Sequence, residues 1–409
     1  MQGNFEQGPI RPPSEAKSLL IRLTRGCPWN KCAFCPTYRD TKFSIRTVEE
    51  VKGDIRTAAA AAEKIRALSQ DCGEGGRVTE RLLHALYGHW ADDGVVSSVA
   101  AWMYFGGTSV FLQDADSLVR KTDDVVEILS FLRECFPSVS RVTTYCRSRT
   151  ASQKSVEDLR RLRGAGLTRI HVGMESGCDA VLGFVRKGVT AQQHVEAGRR
   201  IREAGISLSE YFMPGLGGAK WSREHAEHTA RALNLVNPDF IRLRTLHVKP
   251  GSDLDAKMRA GDFTPIGDED ILREIRLFIE HLEGITSRIV SDHILNLLEE
   301  LEGTLPEDKG RLLEIIDSFF RLPERSGSSS ESGGGPGASG GSPTFRTGSS
   351  TAASAPSSTD MRTGAKEAWN GTSAGPCIGS SERGDGGRGG ETPQGGTICH
   401  RMMSQMLTE

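Results

Sequence analysis

The chain has 409 residues, with 51 Lys plus Arg against 53 Asp plus Glu and a formal charge of -2. That balance excludes a global basic footprint for nucleic acid, and no apolar run approaches the ~20 residues needed to span a bilayer. The nine cysteines are clustered at one place and scattered elsewhere, which is metal-site usage in a reducing compartment rather than a disulfide framework. The polar start MQGNFEQGPIRPPSEAKS is unlike a secretory signal, so a cytoplasmic location is expected.

An apolar run over 18–23 reads as a buried strand. It leads into RGCPWNKCAFC, where Cys27, Cys32 and Cys35 stand in Cys-x4-Cys-x2-Cys spacing. A structural zinc site wants four closed ligands. An iron–sulfur cubane also takes four, and one held by three thiolates leaves an iron open to an exogenous ligand. Thr47-Val48-Glu49-Glu50 reads as a capping box that opens a helix through 68. Residues 70–99 read as an insertion with a helix over 78–90. Strands are predicted over 109–113, 141–146, 169–174, 206–213 and 240–246, with helices over 123–136, 155–163, 191–204 and 222–236 between them. Further helices are expected over 268–282, 291–301 and 306–320.

Six strands alternating with helices argue an α/β fold with a parallel sheet and right-handed crossovers. Six units give an open, partial (β/α)6 TIM-like barrel with C-terminal helices, whose site gathers where the strands end. Residues 1–285 are taken as the core domain and 286–325 as a helical extension. From 326 to 409, 35 of 84 residues are Gly or Ser, too few apolar groups to offset ordering entropy, so a disordered tail is expected.

The cysteine loop resembles the cluster loop of the radical S-adenosylmethionine (radical SAM) superfamily, in the branch with the Elp3-like, methylthiotransferase-like and coproporphyrinogen-oxidase-like enzymes. The superfamily's usual spacing is Cys-x3-Cys-x2-Cys, one residue shorter. The resemblance implies that Cys27, Cys32 and Cys35 hold a 4Fe–4S cluster and that S-adenosylmethionine occupies its open iron. Phe34 matches the aromatic beside the adenine. Asp114-Ala115-Asp116 stands where a Gly-Gly-Glu holds the methionine amino group, although Asp114 or Asp116 could equally cap the next helix. Arg169 to Gly177, with Glu175 and Ser176, resembles the stretch that binds the ribose hydroxyls. Arg186 or Lys187 falls where that branch carries a cation facing the methionine carboxylate, with a solvated face as the plain alternative.

Arg147 and Arg244 lie at or beyond strand ends and suit an anionic group of cofactor or substrate. Arg242 is read as paired inside the barrel with Glu210. Cys146 and Cys178 also fall at strand ends, which keeps open a radical-quenching thiol. From Gly8-Pro9-Ile10-Arg11 through Ser291-Asp292-His293-Ile294-Leu295 the chain is similar to stand-alone bacterial radical proteins, which implies no particular substrate. The expected partners are a flavodoxin- or ferredoxin-type electron donor and a small-molecule or peptide substrate, ranked ahead of nucleic acid, with no membrane. The competing readings are a non-catalytic iron–sulfur or zinc binding module and an RNA-modifying radical enzyme.

Overall fold

The computed structural model describes residues 5–89 and 93–321. The apolar run becomes β1 (Leu19–Arg22), and the short strands β2 (Thr24–Arg25) and β3 (Ser44–Ile45) pair as a ribbon that brackets the cysteine loop. Then come α1 (Val48–Asp71), α2 (Glu80–His89) and α3 (Gly94–Tyr104). The capping box at the start of α1 forms in both directions, Glu50 N–H to Thr47 Oγ1 at 3.1 Å and Thr47 N–H to Glu50 Oε2 at 2.6 Å, so two orphan amides are satisfied at once.

The alternating part follows as β4 (Ser109–Gln113), α4 (Thr122–Cys135), β5 (Arg141–Cys146), α5 (Ser148–Gln153), α6 (Val156–Ala165) and β6 (Arg169–Glu175). It continues through α7 (Asp179–Phe184), α8 (Ala191–Glu203), β7 (Ser207–Phe212), α9 (Gly218–Val236) and β8 (Phe240–Leu243). The chain then runs through α10 (Asp253–Arg259), α11 (Asp268–Glu280), β9 (Arg288–Val290), β10 (Gly303–Thr304) and α12 (Lys309–Arg321).

One sheet runs in the order β1-β4-β5-β6-β7-β8-β9-β10. Every pair is parallel up to β9, and β10 closes the edge antiparallel. The α/β class and the partial barrel of six β/α units are therefore as expected. Two strands of this sheet were not foreseen, nor was the β2–β3 ribbon: β9 adds a seventh parallel strand, and β10 caps it. The segment read as a separate extension from 286 thus opens with a strand of the barrel sheet. The described residues up to Asp317 pack as one unit.

The helix expected over 291–301 is not there; these residues form a loop. Their apolar spacing looks helical, but the polar side chains bond outward instead. Asn296 Nδ2 donates to Leu243 O at 2.9 Å, Thr245 N–H donates to Asn296 Oδ1 at 3.0 Å, and Asp292 pairs with Arg242. These ties seal the end of β8. They also correct the expected Arg242–Glu210 pair. Arg242 Nε donates to Ser209 Oγ at 3.1 Å, so Glu210, one residue on, faces the other side of the sheet. That side meets the helices: a side chain at Gly198 of α8 would collide with Val236 of α9 and approach Leu208 of β7.

The strands' other face lines the barrel with Phe111, Tyr145, His171 and Tyr211, whose rings meet edge-on or tilted at 5.1 to 6.2 Å. Below them, buried Glu15 accepts from Ser18 Oγ at 2.6 Å and from Arg141 at 3.2 Å, beside His171. Polar atoms thus close the end of the barrel away from the cysteine loop. Residues 326–409, read as a disordered tail, lie outside the described residues.

Candidate functional site

The cysteine loop leaves β1–β2 at Gly26, whose φ of +75° is cheap only for glycine. Cys27, Cys32 and Cys35 are all half-buried free thiols. Backbone and side-chain bonds fix the loop from several elements. Ala33 N–H donates to Val185 O at 2.8 Å, and Leu254 N–H donates to Ala33 O at 2.9 Å. Arg39 reaches Asn30 O at 2.8 Å and Cys32 O at 2.7 Å. Trp29 Nε1 donates to Arg186 O at 2.7 Å. Gly188 is required opposite it, because a Cβ there would lie 2.4 Å from the Trp29 ring. Beneath, Ala33 packs into an apolar cluster with Val181, Val185, Met213 and Leu216, and Phe34 lies against it.

Among the described residues no three His, Cys, Asp or Glu side chains converge as one metal ion would require. An iron–sulfur cluster makes no such demand, since each thiolate takes its own iron. Three free thiols on one pinned loop fit that donor set.

Beside the loop stands a charged pair. Lys187 Nζ lies 3.2 Å from Glu175 Oε1, with side chains 12% and 13% exposed. Lys187 also sits 5.6 Å from the Phe34 ring centroid. Burial pulls the Lys187 ammonium down, but Glu175 and Cys32 outweigh it and its pKa is raised. Burial pushes the Cys32 thiol up, with Lys187 and Arg147 pulling the other way. Glu175 itself is held at φ +64°, a region that costs a side-chain residue roughly 1–3 kcal/mol and clusters at functional sites. A register shift in the β6–β7 ladder precedes it. Its second oxygen, Oε2, is buried and has no hydrogen-bond partner among the described residues. Gly173 makes room: a Cβ there would lie 2.5 Å from Glu175 Oε1.

Arg147 stacks over Trp29 at 5.2 Å and donates to Lys187 O at 3.0 Å, which brings it to the same mouth. Arg244 follows β8; it is exposed and enters no hydrogen bond or ion pair through its side chain among the described residues.

Three sequence candidates have other partners. Asp114 is fully buried, salt-bridged to Arg22 at 2.8 Å and hydrogen-bonded by the Tyr38 hydroxyl; burial raises its pKa against both. Asp116 accepts from Thr150 Oγ1 at 2.5 Å and Arg147 N–H at 3.4 Å, and burial pushes its carboxyl up to about 6. Asp116 heads the turn 117–119 without a side-chain cap hydrogen bond and instead ties down the start of α5. Ser176 is buried against His225 Nδ1 at 2.8 Å. His225 Nε2 in turn reaches Met213 O at 3.0 Å, and Met213 N–H donates to Glu175 O at 3.0 Å. Ser176 and His225 therefore brace the turn that carries Glu175. Cys146 and Cys178 are buried.

Sequence reasoning missed Trp29, Tyr38 and His225. Trp29, inside the cysteine motif, was visible as an aromatic on a loop. Tyr38 and His225 act across long separations that leave no local signal.

The family model described as Radical SAM superfamily matches residues 97–233, which takes in β4 through most of α9 with Arg147, Glu175, Ser176 and Lys187. The chain is 21% identical over 281 residues to a tRNA uridine(34) acetyltransferase of Methanocaldococcus infernus, covering 65% of this chain and 50% of that protein. It thus spans about half the length of that curated relative. Among solved structures, coproporphyrinogen III oxidase from Escherichia coli is similar at 18% identity and a TM-score of 0.41, over 68% of this chain and 54% of that one. The archaeal Elp3 of M. infernus is similar at 16% identity and a TM-score of 0.39, over 52% and 53%. The chain is thus similar to the radical SAM superfamily over residues 97–233. No described helix is long and apolar enough to cross a membrane.

Proposed function

We propose that Cys27, Cys32 and Cys35 hold a 4Fe–4S cluster whose open iron takes S-adenosylmethionine. Bound there, the pair would supply radical chemistry, the one-electron reductive cleavage of S-adenosylmethionine for hydrogen abstraction from a small-molecule or peptide substrate. One observation carries the reading: the orphaned, buried Oε2 of Glu175 stands beside Lys187, and both lie against the cysteine loop. A buried carboxylate oxygen without a donor is costly and calls for a ligand hydroxyl.

In this reading Glu175 accepts from the ribose hydroxyls, and Ser176 and His225 hold its turn in place. Lys187 balances the Glu175 charge and presents a cation to the methionine carboxylate. Phe34 supplies an apolar wall for the adenine, and Arg147 fixes Trp29 over the loop. Arg244 faces an anionic part of cofactor or substrate. The aromatic lining and the polar floor keep bulk water from the barrel interior, which protects a reactive intermediate.

The test is anaerobic reconstitution with iron and sulfide analysis, and EPR of the reduced protein with and without S-adenosylmethionine. About four irons per chain, bound through three cysteine thiolates, are expected. The reduced-cluster signal should shift when the cofactor is added. Dithionite should release 5′-deoxyadenosine, and Cys32→Ala should release none. Zinc in place of iron, or a cluster signal that the cofactor leaves unchanged, favours the binding-module reading instead.

A second reading has its own support: the curated relatives are named for tRNA. An RNA substrate predicts that the purified protein retards tRNA in a gel at physiological salt. Free migration of the tRNA removes this reading and leaves the small-molecule or peptide one.

A further inference from the structure

Two phenols and one arginine at the barrel mouth are left unused by the cofactor reading. Residues two apart on a strand share a face. Tyr211 of β7 stands in register with Arg242 of β8, and Arg242 faces the lumen, where it meets Ser209. The ladder runs one step further, with Arg244 N–H donating to Phe212 O at 3.0 Å. Arg244 therefore shares the lumen face with Arg242 and Tyr211, one step nearer the mouth.

Tyr145 of β5 and Tyr211 of β7 flank this space, with ring centroids 6.5 Å apart. Between their strands β6 offers Gly173, two residues beyond His171 on the same face, so no side chain fills the gap. Tyr211 is 8% exposed, and its hydroxyl is buried with no hydrogen-bond partner among the described residues. A buried hydroxyl in that state is costly and calls for a ligand acceptor. Burial raises the pKa of both phenols, so each stands as a neutral donor at neutral pH. Arg244 pulls against burial at both, which brings its charge to the two hydroxyls.

Charge then selects the ligand. Arg242 is matched by Asp292, and Lys187 by Glu175. Burial and the Arg244 charge lower the pKa of half-buried His293, which keeps it neutral. The Arg244 side chain has no partner among the described residues. One unmatched guanidinium beside two neutral hydroxyl donors suits a carboxylate, which carries a single charge and accepts several hydrogen bonds. A phosphate brings about -1.5 to -2 charges, which one cation leaves uncompensated.

We infer that Arg244, Tyr211 and Tyr145 hold the carboxylate of the substrate, which is a small carboxylic acid. The inference rests on the reading above, in which Glu175 and Lys187 serve the cofactor and leave this group to the substrate. Arg244 supplies the charge, and the two phenols fix the direction of the bound carboxylate by donating to it.

The experiment titrates acetate, acetamide and inorganic phosphate into the anaerobically reconstituted protein by ligand NMR, with and without S-adenosylmethionine. Acetate should bind saturably, and about tenfold or more tighter than acetamide or phosphate. Arg244→Gln should weaken acetate roughly ten- to hundredfold, the worth of a hydrogen-bonded charge. Arg244→Lys keeps the charge but loses the planar fork, and should fall between the two. Tyr211→Phe, which keeps the ring, should cost about two- to tenfold. Thermal melts check that each variant is folded. No saturable acetate binding by wild type, equal affinity for acetate and acetamide, tighter binding of phosphate, or wild-type affinity in Arg244→Gln each overturn the inference. Displacement of acetate by S-adenosylmethionine assigns Arg244 to the cofactor and overturns it as well. Acetate binding by a wild type that never binds S-adenosylmethionine counts against the cofactor reading and leaves the carboxylate subsite standing.

Discussion

Glu175 concentrates the physics of the site. A left-handed backbone, a register shift just before it and a glycine two residues upstream are each unfavourable or permissive alone, and together they direct one carboxylate toward Lys187. Glu175→Ala should weaken S-adenosylmethionine binding roughly ten- to hundredfold, the worth of a charge-assisted hydrogen bond to a buried group. Gly173→Ala should have the same sign with Glu175 intact, because the added methyl displaces its carboxylate. Equilibrium binding of the cofactor to the reduced protein checks both, and wild-type affinity in Gly173→Ala would refute the spatial argument. Asp116 makes a pH prediction. Its folded pKa, about 6, lies above the ordinary 3.8, so folding favours the protonated form. Stability tied to it is complete below about 3.8 and is lost as pH rises through about 6. At about 1.4 kcal/mol per unit, roughly 3 kcal/mol is involved. Denaturant unfolding of wild type and Asp116→Asn at pH 4, 6 and 8 should show wild type losing ground to the variant across that window. Parallel profiles would exclude the effect.

At the scale of elements, helix starts and strand ends share the work. α1 begins on a complete capping box, so Thr47→Ala should cost about 1 kcal/mol in urea unfolding and leave cofactor binding unaltered. The turn after β6 is held more rigidly. Gly177 N–H donates to Thr229 Oγ1 at 2.8 Å, and a Cβ at Gly177 would meet the α9 backbone at 2.6 Å. The Glu175 turn is thus set by α9 as much as by its own strand. Glu274 of α11 stands behind α9, accepting from Gly215 N–H at 2.7 Å and lying 3.7 Å from His225. A helix some hundred residues downstream in sequence therefore helps brace the turn that carries Glu175.

At the scale of the whole molecule, the barrel is open between β1 and β10, and its ends are finished by polar ties rather than by closure. Glu15, Ser18, Arg141 and His171 fill one end. The Arg242–Asp292 pair fastens the segment after β9 over β8. Arg242 is 4% exposed, so Asp292→Ala leaves a nearly buried cation with Ser209 as its one side-chain hydrogen-bond partner among the described residues. The expected loss is about 3 kcal/mol, read from the shift of the urea midpoint. A midpoint unchanged by that substitution would mean that β8 and β9 are held by their backbone ladder alone.

The sequence by itself determined the six β/α units, the capping box of α1 and the cysteine loop, because those signals are local: period-two and period-3.6 apolar spacing, a four-residue cap and three thiols within nine positions. It also singled out Glu175, and Lys187 with Arg186 as the alternative, through the resemblance of their stretches to a known family. Only the tertiary structure decided what these residues touch. Asp114 was assigned to Arg22 and Tyr38, and Ser176 to His225, by partners 49 to 92 positions away. The loop over 291–301 took its shape from β8 against its own helical spacing. Hydrogen-bond satisfaction in a buried space is a property of the whole packing, so no window of sequence contains it.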